Sequence, residues 1–182
     1  MEKKKLIIID VQNDFITGSL GTEEARRMLP RLLEKVSRFS GEILLTQDSH
    51  SDNYPDTQEG KLLPVSHCII GTEGWEFHRD LEKLRAERNA KVYRKPCFGS
   101  VSLVDDLKDA YEKELLDSVE LVGICTDICV VSNALMIKSA LPELPVYVDA
   151  SCCAGVTPEK HKAALEVMES CQVIVTGKDS AL

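Results

Sequence analysis

Three residues of this chain combine a nucleophile, a proton carrier and a cation: Cys129, Asp10 and Lys95. A thiol attacks a carbonyl carbon as its thiolate. A carboxylate can take the thiol proton and return it to a leaving amine, and an ammonium favours the anion. Such a set would hydrolyse a small amide or related C–N bond. A second set, Asp48 and His50 followed by Glu59 and His67, offers nitrogen and oxygen donors suited to a divalent metal. In an extended segment, residues two apart such as Asp48 and His50 point to the same side.

Taken singly, each residue has an ordinary alternative. An aspartate at a strand end usually shapes a turn, and a cysteine in a helix is more often a small hydrophobe than a nucleophile. Their placement is what argues for chemistry. Short apolar, β-branched runs predict strands at Leu6–Asp10, Glu42–Asp48, Lys91–Lys95, Glu120–Cys125, Pro145–Ala150 and Gln172–Thr176. Amphipathic stretches between them predict helices at Ala25–Phe39, Glu76–Ala86, Ser102–Leu115, Asp127–Leu141 and Pro158–Ser170. Pro30 marks where the regular part of the first helix should begin, and Thr157 and Pro158 punctuate the start of the last. His78 and His161 fall on helical patterns and read as surface residues.

Strand–helix alternation of this kind predicts one α/β domain over residues 1–182. It would be a doubly wound, three-layer structure around a mostly parallel six-stranded sheet. Ligands bind beyond the carboxyl ends of the strands in such sheets, especially where the strand order reverses. With the common order 3-2-1-4-5-6, Asp10 and Cys129 would face each other across that crevice, and Asp48 and Lys95 would end the neighbouring strands. Cys129 in the first turn of its helix would feel the positive end of the dipole, and Lys95 would further favour the thiolate. The long irregular stretch Ser49–Ser66, rich in Asp, Asn and Pro, reads as functional.

Composition narrows the partners. The chain has 182 residues, of which 43% are hydrophobic and 29% charged, with a formal charge of −8. An acidic surface does not favour nucleic acid or an anionic membrane. Aromatic residues make up 5%, too few for base-stacking platforms. The Lys-rich start leads into an apolar run of only four residues, so it reads as a solvated terminus before a strand, not as a secretory leader. Seven cysteines lack a disulfide-scaffold spacing, which with the missing leader gives the expectation of a cytoplasmic protein with reduced thiols. Neither a dinucleotide or phosphate-binding glycine loop nor a Gly-x-Ser-x-Gly elbow is present.

Several segments together carry a family likeness. They are Leu6-Ile7-Ile8-Ile9-Asp10-Val11-Gln12-Asn13-Asp14-Phe15, Thr46-Gln47-Asp48-Ser49-His50, and Pro64 to Cys68 followed by Gly71-Thr72-Glu73-Gly74. Lys95 and Gly123-Ile124-Cys125-Thr126-Asp127-Ile128-Cys129-Val130 complete them. The chain resembles the isochorismatase-like cysteine hydrolases, and among them the nicotinamidases. That resemblance implies a catalytic triad of Asp10, Lys95 and Cys129, and hydrolysis of nicotinamide or a similar heteroaromatic amide through a thioester. It implies a divalent ion on Asp48, His50 and His67, with Glu59 where some relatives place a further ligand; zinc is expected, with iron or manganese as alternatives. It also implies a cis peptide at Ile124–Cys125 and an oxyanion hole from the N–H groups of Cys125 and Cys129. Phe15 and Phe98 would sandwich a flat ring, although the segment after Lys95 is shorter here and leaves Phe98 as its only aromatic. Relatives often form homo-oligomers. Two other readings are an N-carbamoyl or ureido hydrolase using the same triad, and a non-catalytic metal- or ligand-binding protein on this fold.

Overall fold

Leu6, Ile7, Ile8 and Ile9 are all fully buried, although successive residues of a strand point to opposite faces. Both faces of this strand must therefore be covered. In the computed structural model, which describes residues 3–178, Leu6 and Ile8 join one apolar cluster and Ile7 and Ile9 another. Burying each such side chain stabilises the fold by about 1.5–3 kcal/mol. The solvated start read for Met1 and Glu2, and the last four residues of the 1–182 span, lie outside the described residues.

Six strands are described: β1 (Lys4–Ile9), β2 (Glu42–Asp48), β3 (Lys91–Lys95), β4 (Ser118–Ile124), β5 (Val146–Ala154) and β6 (Ile174–Thr176). They pair in the order β3-β2-β1-β4-β5-β6, every pair parallel. This is the order and class the sequence predicts. One face is covered by α1 (Asn13–Ile16), α2 (Glu23–Arg38) and α4 (Arg79–Arg88), through residues such as Phe15, Met28, Leu32 and Leu81. The other is covered by α5 (Val101–Glu112), α6 (Val131–Ala140) and α7 (Pro158–Ser170), through Leu103, Leu107, Ile137 and Met168. Small α3 (Gln58–Leu62) and a 3₁₀ turn at Tyr54–Asp56 lie within the stretch read from sequence as irregular.

Three expectations about helices are corrected. α2 is regular from Glu23 onward, because the Thr22 side chain accepts from Ala25 N at 3.0 Å and caps it. Pro30 therefore sits inside the helix. It forgoes one i→i−4 bond, and buried Ala25, Met28, Leu29 and Leu32 on either side of it hold the helix together. α4 starts at Arg79, not Glu76, because Phe77 pairs as a bridge with Gln12 and His78 N donates to Val11 O at 3.0 Å. His78 is then a cap whose Nδ1 accepts from Asp80 N, and His161 is 6% exposed; neither is the free surface residue expected. Finally, the helix expected at Asp127 opens as a π-turn, Thr126–Val130, before α6 proper.

Candidate active site

Asp10, Asp48, Lys95 and the turn bearing Cys129 all lie at the carboxyl ends of β1, β2, β3 and β4, around the point where strand order reverses. Asp10 follows β1 with φ at +48°, a left-handed conformation uncommon for a residue with a side chain. It is fully buried; its Oδ1 accepts from Thr46 Oγ1 at 2.7 Å and its Oδ2 lies 2.6 Å from Lys95 Nζ. Lys95 Nζ also stands 3.6 Å from Cys129 Sγ and 3.5 Å from Asp48 Oδ1. Asp10 and Cys129 therefore both face the Lys95 ammonium. The structure thus brings together the three residues proposed from sequence as nucleophile, proton carrier and cation.

The electrostatics differ from the expectation of a resting thiolate. Burial first, and then the charge of Asp10 and Asp48, push the Cys129 thiol well above its ordinary range, against the opposing pull of Lys95. Burial likewise raises Asp10, partly offset by Lys95. Burial would lower Lys95, but Asp10, Cys129 and Asp48 outweigh it and hold the ammonium charged. Such surroundings favour the thiol over the thiolate, and the Asp10 carboxylate lies across Lys95 from it.

The turn bearing Cys129 is held from several sides. The Ile124–Cys125 peptide is cis. Gly123, with φ at +124°, brings β4 so close to β1 that a Cβ there would stand 2.2 Å from Ile9 O. Cys125 O accepts from Val130 N at 3.0 Å, closing the turn. Buried Asn133 donates to Cys129 O at 2.8 Å and to Phe98 O at 3.1 Å, and accepts from Ser100 N, so it ties the segment after Lys95 to the turn. Asn133 escaped sequence reading, for neither its type nor its spacing marks it out, whereas Thr46 lies within a matching segment.

Beside this cluster, Asp48 Oδ2 lies 3.0 Å from His50 Nε2 and 3.5 Å from His67 Nε2, and Glu59 Oε1 is 3.8 Å from both imidazole nitrogens. Tetrahedral ligands at ~2.1 Å from an ion stand about 3.4 Å apart, so this spacing fits a metal-sized gap. His67 Nδ1 faces Val65 O at 2.8 Å, a bond that leaves the Nε2 lone pair pointing at the cluster. Asp48, His50 and His67 are buried and form a group able to hold a metal ion. Asp48 is held far below the usual carboxylate range: its burial is outweighed by the two imidazoles and Lys95. Two residues missed from sequence support the group. Tyr54 packs edge-on against both imidazoles, at 4.8 and 5.0 Å between ring centroids. Gln12 clamps the Asp48 backbone, its amide donating to Asp48 O and its carbonyl accepting from Asp48 N. Gln12 had a signal, since it lies within the first matching segment.

A cavity of about 240 Å³ joins the two clusters; its wall includes Asp48, Glu59, His67, Cys125 and Cys129. Phe15, buried and 5.6 Å from the His67 ring, lies on one wall, and Phe98, 46% exposed, lies at the mouth. Leu20, Thr22, Leu63, Ile128, Val156 and Lys160 complete the lining.

Comparison with known proteins agrees with this geometry. The isochorismatase domain model matches residues 4–180. The chain is 32% identical over 186 residues to the nicotinamidase/pyrazinamidase of Mycobacterium tuberculosis, a match covering 93% of this chain and 96% of that protein. It is 33% identical over 145 residues to nicotinamidase 1 of Arabidopsis thaliana, covering 69% of this chain and 56% of that protein. The crystal structure of nicotinamidase from Bacillus subtilis superposes with a TM-score of 0.82 at 28% identity, covering 96% of this chain and 99% of that one.

Proposed function

The chain belongs to the isochorismatase family, and we propose that within it this protein is a cysteine-dependent amidohydrolase converting nicotinamide to nicotinate and ammonia. The observation that carries this reading is the shared cavity: Cys129, with Asp10 and Lys95 behind it, opens into the same space as Asp48, Glu59 and His67. The nicotinamidase relatives, plant and bacterial, support the substrate.

Asp10 takes the thiol proton as sulfur adds to the carboxamide carbon. The N–H groups of Cys125 and Cys129 receive the developing oxyanion. Asp10 passes the proton to the departing ammonia, leaving a thioester on Cys129. Water then gives a proton to Asp10 and attacks the thioester, and that proton returns to sulfur as nicotinate leaves. Lys95 balances the charge that moves between Asp10 and sulfur. Phe15 and Phe98 flank the ring, so that carboxamide and thiol meet in one orientation. Asp48, His50 and His67, with Glu59 in reach, would hold a divalent ion, zinc on the chemistry of the donors, with iron or manganese as alternatives. Such an ion would supply a Lewis-acid position for a ring nitrogen.

No helix among the described residues is long and apolar enough to cross a membrane. All seven cysteines are free thiols, which supports a reducing, cytoplasmic setting. The test of the function is ammonia release by metal-replete enzyme from nicotinamide, benzamide and an N-carbamoyl amino acid. Nicotinamide should turn over rapidly and benzamide, lacking the ring nitrogen, far more slowly. Turnover of the carbamoyl compound alone would overturn the substrate while leaving the thiol chemistry standing.

A further inference from the structure

His161 lies on α7, yet its ring reaches across to the π-turn, where Nδ1 stands 2.8 Å from Thr126 Oγ1. Thr126 is fully buried and is the first residue of the turn that ends by presenting Cys129. The other ring nitrogen, Nε2, is buried without a hydrogen-bond partner among the described residues. Beside the ring is a chamber of about 10 Å³, room for one water, bounded by Glu24, Cys153, Gly155 and Thr157. A buried imidazole is costlier to place than a leucine of similar size, so this position does more than fill space.

The packing around the ring leaves it little freedom. A Cβ on Gly155 would stand 2.9 Å from both His161 Cβ and His161 N, and 3.0 Å from Asp127 Oδ1. The Asp127 carboxylate accepts from Val156 N at 2.9 Å, so the loop after β5 is pinned to the same turn. Burial holds the imidazole below its ordinary range, and Lys162 adds to this against Asp127, which favours the neutral ring. A neutral imidazole can donate to or accept from a hydroxyl without adding charge near Cys129.

We propose that His161 is a positioning residue for the nucleophile: through Thr126 it sets the orientation of the turn and thereby the distance of the Cys129 thiol from Asp10. This rests on Cys129 being the nucleophile, but not on nicotinamide being the substrate.

Four variants test it: His161→Leu, which keeps bulk and removes the hydrogen bond; His161→Asn, which keeps a polar atom near the Nδ1 position; Thr126→Val, isosteric but without the hydroxyl; and Thr126→Ser, which retains it. Two quantities are read: kcat and KM on the best substrate of the panel, and the rate at which iodoacetamide alkylates Cys129 in the folded protein. Leu and Val should each lower kcat about tenfold or more with KM within about twofold, and both should change the alkylation rate. Asn and Ser should recover most of each. The double variant His161→Leu/Thr126→Val should be no worse than the poorer single one. If His161→Leu does not fold, the Thr126 pair decides alone, since the histidine stays in place. Alkylation reads the geometry even if nicotinamide proves not to be the substrate. Unchanged kcat and alkylation in Thr126→Val, or no recovery by Asn and Ser, would overturn the proposal.

Discussion

The two clusters that share the cavity are built on opposite electrostatic plans. Around Cys129 the charge of Asp10 is matched within the protein by buried Lys95, which also reaches Asp48 and the thiol. Around His67 no such match is made. Two imidazole nitrogens and two carboxylate oxygens converge there, each imidazole within 3.0–3.8 Å of both carboxylates, and Lys95 is already engaged with Asp10 on the far side of Asp48. A matched cluster can form on folding alone. A converging set of donors is costly unless a cation fills it. Asp48 belongs to both and is the residue through which one should feel changes in the other.

Breaking the first cluster should have the largest effect. Cys129→Ala should reduce turnover to background with an unchanged circular dichroism spectrum, whereas Cys125→Ala, assigned only a backbone role, should stay within about tenfold of wild type. Next, Asp10→Asn should lower kcat by roughly 10²–10⁴, the range of general acid–base catalysis. Lys95→Met should also leave two buried carboxylates without their counter-charge. A stability loss of about 3–5 kcal/mol is expected, measured by urea denaturation. An unchanged midpoint would show that the cluster is not charge-matched as described.

The second cluster should respond to metal rather than to denaturant. Elemental analysis should find about one divalent ion per chain in the native protein and far less in His50→Ala. Equal metal in both would remove the site. Chelation should lower the melting temperature of the wild type but leave that of His50→Ala nearly unmoved. The smallest effect is expected at the cavity mouth: Phe98→Ala should raise KM several-fold with little change in kcat, because half-exposed Phe98 supplies contact area but no reacting atom.

How much of this was legible in the sequence differs in the same way between the clusters. Strand ends are local properties, and β2 and β3 fall where the apolar runs placed them, so Asp48 and Lys95 were correctly located before any contact was known. Strand–helix alternation indicates the parallel class, and the strand order is the one common to such sheets. The resemblance supplied the cis peptide, which no periodicity could have indicated. The supporting residues were hidden for a physical reason. Tyr54 and Asn133 act through contacts made only when distant segments meet, and their types are common in turns and helices. His161 was misread because its helix has a polar pattern at that point, whereas the ring turns inward to Thr126. The raised Cys129 thiol has the same origin: burial, which sequence does not reveal, opposes the pull of Lys95.

The central claim is that the Cys129 sulfur carries the acyl group during turnover. Acid-quenching the metal-replete enzyme during nicotinamide turnover, followed by proteolysis and mass spectrometry, tests it directly. The account predicts a nicotinoyl thioester on the peptide containing Cys129, absent from Asp10→Asn and removable by hydroxylamine. Steady ammonia release with no acyl group on Cys129, together with activity retained in Cys129→Ala, would contradict it.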